Sequence, residues 1–226
     1  MTEALADTTV VVPARDEAAA IATVVRSLRA LGAARVIVVD DGSRDETAAR
    51  AKAAGADVVA SVRRGYGWAC HAGAAVDDGS PIVAFIDGDG SFDPDDLATL
   101  ARTVREGADL AIGTRARAVA MPVHQRLGNG LTLALLRALY GLSLSDIAPL
   151  RAIRREALDR LGMRPTRYAW LVEMLAKAAR RRLLIVAMPV RYGPRVGGLS
   201  KVSGSPRGSV LAGIDFLGAL LAYRRW

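Results

Sequence analysis

The sequence predicts an α/β protein built on a mostly parallel central sheet. Three observations point there. Short apolar runs recur without the polar alternation of a half-exposed strand, segments with helical spacing separate them, and several runs end in clusters of acidic residues. Strands buried on both faces and joined by helical crossovers are the mark of βαβ units. In such sheets ligands sit beyond the carboxyl ends of the strands, so that edge is the predicted site.

Thr8 to Val12 is a β-branched run closed by Pro13, which has no N–H for a ladder. From Glu17 to Leu31, Ile21, Val24, Val25, Leu28 and Leu31 share one helical face, and Gly32 follows as a stop. Val36 to Val39 is a second strand running into Asp40 and Asp41; Asp45 to Ala54 is helical and closed by Gly55. Val58 to Val62 is a third strand, and Tyr66 to Val76 a helix after a glycine turn. Ile82 to Ile86 leads into Asp87-Gly88-Asp89-Gly90, followed by a helix over Asp95 to Glu106 and a strand over Leu110 to Gly113.

The second half is less regular. Helices are expected over Leu127 to Leu142, Arg154 to Leu161 and Ala169 to Arg180. Leu183 to Tyr192 is a strand that Pro189 assigns to a sheet edge. Pro194 to Gly208, with four glycines and two prolines, is a loop before a last helix over Ser209 to Tyr223. There Val210, Leu211, Ile214, Leu217, Leu220 and Leu221 form an apolar stripe, expected to lie on a membrane surface or else to pack on the core or across a dimer. Its 15 residues would span about 22 Å, short of the roughly 30 Å hydrocarbon core.

Composition narrows the class. The chain has 226 residues, 51% of them hydrophobic and 24% charged, with a single Cys. That is one ordinary globular domain over 1–226, neither disordered nor a disulfide scaffold. Without a basic stretch followed by an apolar run at the start, the expected place is the cytoplasm, with peripheral contact on the inner face of the cell membrane. The net charge of +8 is uneven: residues 1–145 carry 15 basic and 18 acidic side chains, residues 146–226 carry 16 and 5, so the balances are −3 and +11. A basic C-terminal third favours an anionic partner, although Arg180 to Arg182 also reads as a solvated helix end. Nucleic acid is disfavoured, because aromatic residues are 5% and not interleaved with the arginines.

Asp87 and Asp89, two carboxylates leaving a strand through glycines, can both face one hard divalent cation, Mg²⁺ or Mn²⁺; the bland alternative is an Asp-Gly turn. Asp41 can accept hydrogen bonds from a nucleobase or ribose, while Ser43 or Asp45 caps the following helix. A Walker loop and a dinucleotide fingerprint are both missing, against a P-loop nucleotidase and a dehydrogenase. His71, His124 and Cys70 stand without ligand-spaced partners and read as structural.

Residues 11–17 (VVPARDE), 39–45 (VDDGSRD), 64–69 (RGYGWA) and 86–90 (IDGDG) occur in an order that resembles the family 2 inverting glycosyltransferases, nearest to the polyprenyl-phosphate hexosyltransferase branch. Residues 146–158, 170–173 (WLVE) and 195–201 (RVGGLSK) extend the likeness over roughly 8–215. Arg15 stands where the family often has Tyr, and Ser91 where the lipid-phosphate mannosyltransferases commonly have Gln. The resemblance implies a GT-A-like, Rossmann-type nucleotide-sugar-binding fold, with a donor half at about 8–115, an acceptor half at about 116–208 and the helix at 209–226. It implies that Pro13, Arg15, Glu17 and Asp41 line the base and ribose of a UDP- or GDP-sugar. Asp87 and Asp89 would hold the metal on its diphosphate. Arg115, Arg126, Arg195, Ser200 and Lys201 would meet the phosphate of a polyprenyl phosphate or another anionic acceptor. A hydroxyl acceptor would instead need a base, for which Asp146 and Glu173 are the available carboxylates, their bland alternative being ion pairs with Arg151 or other arginines of that half; a phosphate acceptor is already anionic and needs only positioning.

Overall fold

The computed structural model describes residues 4–62, 64–76, 79–115, 123–197 and 206–226. The apolar runs form strands β1 (Thr8–Ala14), β2 (Arg35–Asp40), β3 (Asp57–Ala60), β4 (Ile82–Phe85), β5 (Leu110–Arg115), β6 (Arg151–Arg154) and β7 (Ile185–Val190). The helices are α1 (Ile21–Ala30), α2 (Thr47–Ala53), α3 (Tyr66–Ala74), α4 (Pro94–Arg105), α5 (Val123–Tyr140), α6 (Arg155–Leu161), α7 (Trp170–Arg180) and α8 (Pro206–Ala222). The strands make one seven-stranded sheet in the order β3-β2-β1-β4-β6-β5-β7. Every pairing is parallel except those of β6, which runs antiparallel to β4 and β5.

Burial on both faces explains why the strands read as unbroken apolar runs. Val10, Val12, Val36 and Val38 face a layer made by Val24, Val25 and Leu28 of α1 with Leu97, Leu100 and Val104 of α4. Val11, Ile37 and Val39, offset by one residue, face Ala69 and Cys70 of α3 and Trp170, Met174 and Leu175 of α7. A side-chain period of two sends successive residues to opposite layers, and both layers are dry. The order reverses between β1 and β4, since β2 and β3 lie on one side and the later strands on the other. The C-terminal ends of β1 and β4 therefore flank a topological switch point.

The structure adds to the sequence reading in three places. Residues 151–154 are a strand where no element was expected before the helix at Arg154: four residues with Arg at both ends have little periodicity, and β6 is held by its pairing with β4 and β5. The last helix starts at Pro206, inside the expected loop, with Pro in the first turn, where its missing N–H costs nothing. Its apolar stripe is also divided. Leu220 is fully buried against the core and its carbonyl accepts from Tyr140 Oη at 2.5 Å, whereas Ile214 and Leu221 are exposed. Pro189 does lie on an edge strand, β7, as expected.

Gly73 sets how closely α3 approaches the sheet: a Cβ there would lie 2.4 Å from Val11 Cγ1 and 3.1 Å from Val39 Cγ2. In Gly73→Ala the helix gains about 1 kcal/mol of propensity but overpacks by about 1–3 kcal/mol. We expect thermal unfolding to show a Tm lower by about 2–6 °C for a chain of this size. A Tm at or above the wild-type value would mean that α3 can lift away from β1 without cost.

Candidate active site

Four strand ends meet at the switch point, and backbone donors hold most of their acids. After β1, Asp16 adopts a positive φ of 52°. Its N–H donates to Ser43 Oγ (2.9 Å) and its carboxylate accepts from Arg44 N (2.8 Å). Glu17 N donates to Thr47 Oγ1 (2.8 Å) and Ala18 N to Asp45 Oδ2 (3.1 Å). Asp45 also accepts from Thr47 N (3.0 Å), a free donor at the start of α2, although the cap residue itself is Glu46 and its side chain makes no cap bond. Asp41, buried after β2, accepts from Arg64 N (2.8 Å), Gly65 N (3.0 Å) and Ser61 Oγ (3.1 Å), which ties the loop between β3 and α3 to the β2 end. Pro13 is buried in register with Val39, and Arg15 is partly exposed at the mouth.

Beyond β4 the acids are less satisfied. Asp89 Oδ1 accepts from Ser91 N (2.9 Å), and Oδ2 accepts from Arg195 Nη2 (2.5 Å). Asp87 Oδ1 is shielded from water and has no hydrogen-bond partner among the described residues. Burial, and next the charge of Asp89, push the Asp87 carboxyl up to about 7. A shielded carboxylate oxygen beside a second carboxylate fits a hard cation, so the residues present suit a divalent metal. Among the described residues no group of three or more His, Cys, Asp or Glu side chains is gathered for a metal. Such an ion would thus be held by Asp87 and Asp89, with its remaining positions left to a ligand's oxygens and water.

On the other side of the site, β5 extends two residues past its expected end and delivers Arg115. Arg115 grips Asp146 through Nε (2.7 Å), Nη2 (2.9 Å) and its backbone N (3.0 Å), and stacks over the Tyr192 ring at 5.2 Å. Asn129 Nδ2 of α5 adds a contact to Asp146 at 3.3 Å. Burial opposes ionisation of Asp146, but the Arg115 bonds outweigh it and hold the carboxyl below its usual range. Arg126 is exposed on α5. Ser200 and Lys201 lie outside the described residues.

Glu173 is not brought to this cluster. It is fully buried in α7, where Oε1 meets Lys177 Nζ (2.7 Å), Arg164 N (3.0 Å) and Tyr223 Oη (3.1 Å). There it is one half of an internal ion pair, the bland alternative the sequence also allowed, with Lys177 in place of an arginine. In the sequence Arg151 reads only as an ion-pair partner for Asp146 or Glu173. The side chain is fully buried, with Nη2 on Ala148 O (2.7 Å) and Nη1 on Leu171 O (3.2 Å), and among the described residues no carboxylate bonds to it. Burial lowers its pKa to about 10, so the guanidinium stays charged under the field of Asp87 and Asp146. The available signal was an Arg placed between Leu150 and Ala152-Ile153.

Residues 9–162 match the family described as Glycosyl transferase family 2. An uncharacterized glycosyltransferase of Mycobacterium tuberculosis is 43% identical over 210 residues, covering 92% of this chain and 95% of that protein. The undecaprenyl-phosphate mannosyltransferase of Micrococcus luteus is 31% identical over 195 residues, covering 79% and 80%. Among solved structures, glucosyl-3-phosphoglycerate synthase from Mycobacterium tuberculosis, in complex with Mn²⁺, uridine-diphosphate-glucose and phosphoglyceric acid, superposes with a TM-score of 0.75 at 25% identity, covering 96% of this chain and 79% of that one.

The strained state of Asp87 has a measurable sign. Its folded pKa lies above the value of a free carboxyl, so the metal-free fold binds this proton more tightly than the unfolded chain does. Stability from this group is intact below about pH 4 and declines as pH rises toward 7. We expect Asp87→Asn, measured by thermal unfolding without metal, to exceed wild type in Tm at pH 8 and to match it at pH 4. Equal Tm values at both pH values would show that Asp87 carries no such burden.

Proposed function

Because the chain belongs to glycosyl transferase family 2, we propose that it moves a hexose from a UDP- or GDP-sugar to the phosphate of a phosphorylated acceptor, polyprenyl phosphate first among them, with inversion at the anomeric carbon. The observation that carries this reading is the closed grip of Arg115 on Asp146. A hydroxyl acceptor needs a carboxylate free to take its proton. Here the acceptor-side carboxylate is spent on a bidentate pair, and the cations around it suit an acceptor that arrives as an anion.

On the donor side, Pro13, Arg15, Glu17 and Asp41 are assigned to the base and ribose. Among the described residues Asp41 Oδ2 accepts one hydrogen bond, from Gly65 N, and a second acceptor site on it suits one more donor. A divalent cation on Asp87 and Asp89 would neutralise charge on the departing diphosphate. Arg126, Arg195, Ser200 and Lys201 are assigned to the acceptor phosphate, with Arg115, expected among them, kept on Asp146 as the support of that side; the phosphate oxygen forms the new bond to the anomeric carbon as the bond to the diphosphate oxygen breaks. The undecaprenyl-phosphate mannosyltransferase relative supports a polyprenyl phosphate acceptor, and a structural neighbour bound to phosphoglyceric acid supports an anionic one.

A transfer assay that pairs UDP- and GDP-hexoses with undecaprenyl phosphate or with 3-phosphoglycerate tests the reading. Product is expected on undecaprenyl phosphate. Asp146→Asn should lower the rate by less than the roughly 10²–10⁴-fold that removal of a general base costs, with the pH profile unchanged in shape. A larger loss together with disappearance of the acidic limb would make Asp146 the base and the acceptor a hydroxyl.

Peripheral membrane contact fits the same reading. Among the described residues no helix is long and apolar enough to cross a membrane. Yet Leu127 and Leu131 of α5 are 70% and 53% exposed, and Ile214 and Leu221 of α8 are 59% and 54% exposed. Arg126 and Arg137 on α5 and Arg224 after α8 are exposed too. Deleting the last helix would open the core at Leu220, so point changes are the sounder probe. We expect the protein to float with vesicles containing anionic lipid, and a Leu127→Asp/Ile214→Asp double variant to stay behind at unchanged Tm. Absence of flotation with every lipid composition would set the membrane contact aside.

A further inference from the structure

Arg195 was expected among the acceptor residues, but its guanidinium lies on the carboxylate assigned to the metal. Nη2 is 2.5 Å from Asp89 Oδ2 and 3.9 Å from Glu17 Oε1. The segment that brings it there is fastened over the turn after β4. Gly193 N donates to Ser91 O (2.9 Å), Val196 N to Asp89 O (3.1 Å), and the rings of Phe92 and Tyr192 pack at 4.9 Å. Gly90, at a φ of 74°, lets Val196 come so near that a Cβ would sit 2.9 Å from its Cγ2. Ser91 N takes one acceptor site of Asp89 Oδ1, while Oδ2, the oxygen without a backbone donor among the described residues, is held by Arg195. The other terminal nitrogen, Nη1, is shielded from water and has no hydrogen-bond partner among the described residues.

Building on the proposed function, we propose that Arg195 is a placeholder cation: it neutralises Asp89 until a divalent metal arrives with the nucleotide sugar, and the metal then displaces it from Oδ2. A guanidinium and a divalent ion cannot share that oxygen without their charges repelling at contact distance. The displaced fork, with its donors released and still tethered beside the site, turns to the acceptor phosphate, which it can bind in bidentate fashion. One side chain thereby couples donor loading to acceptor binding, and Arg195 acts as a positioning residue for both.

Mn²⁺ binding to the full chain without nucleotide, followed by calorimetry and by the electron paramagnetic resonance of free Mn²⁺, tests this apart from turnover. Arg195→Ala should bind Mn²⁺ about tenfold more tightly than wild type, equivalent to about 1.4 kcal/mol, because the metal no longer competes with a charge-assisted pair. Arg191→Ala removes an exposed cation from the same segment, one that pairs with Asp93 and Asp96 instead, and should stay within about twofold of wild type. Asp89→Asn should lose binding. If Arg195→Ala binds no more tightly than wild type while Asp89→Asn loses binding, the metal site stands and the placeholder role falls. Equal tightening in Arg191→Ala and Arg195→Ala would reduce the effect to net charge and overturn it as well. Should the wild type and every variant fail to bind Mn²⁺ both without nucleotide and with UDP or GDP added, the metal assignment itself is wrong and the proposal goes with it.

Discussion

Two carboxylates placed side by side at the end of a buried strand repel each other and lose water, and the residues around the site answer that constraint. Asp87 and Asp89 emerge from β4, the strand next to the switch point, where neither sheet face is open to solvent. Burial and mutual repulsion raise the Asp87 carboxyl to about 7, which marks a site that is incomplete without positive charge. Arg195 supplies some of it from the loop beyond β7. Arg151 supplies more from within the sheet, on a strand whose pairing register sets it beside Phe85 and Ile112. The antiparallel strand β6 thus has an electrostatic consequence: it carries a buried cation into the layer beneath the acids.

The donor side is built differently, from acids that serve as backbone acceptors. Asp16, Asp40, Asp41 and Asp45 each take a backbone N–H from a loop. Such charge-assisted bonds fix loops that have little apolar area to bury. Three loops laced in this way form a wall that is ordered before any ligand arrives, which lowers the entropy lost on binding. The acceptor side instead rests on a few pairs drawn from distant segments, of which Arg115 with Asp146 is the best shielded.

The chain's end is anchored by a third charge device. Lys177 and Glu173 pair in the interior of α7, and Lys177 also donates to Gly162 O at 2.7 Å. The ammonium faces the rings of Tyr223 and Trp226 at 4.7 and 5.0 Å. A buried ion pair adds little net stability, but it tolerates few alternative arrangements. It seats the turn after α8 against α7, while Leu220 seals the core next to it. The apolar residues left over on α5 and α8 are consequently a surface feature and not a gap in the packing.

The sequence by itself determined the α/β class, the strands through β5, the edge position of β7 and the acidic strand ends that mark the site. All of these are local signals: apolar runs, helical spacing, and Pro and Gly punctuation within a few residues. Only the tertiary structure decided who partners whom. Asp41 binds a loop 23 and 24 residues on, Arg115 and Asp146 are 31 residues apart, and Arg195 reaches Asp89 across 106. Glu173 looks like a catalytic acid in its short motif and becomes an ion-pair partner once α7 packs. Strand β6 and the burial of Arg151 were illegible for the same reason: four residues carry no period, and their state is set by the neighbouring strands β4 and β5. Local patterns encode where water is excluded, but a charged side chain's role depends on which opposite charge the fold brings within reach, and that is a property of the assembled sheet.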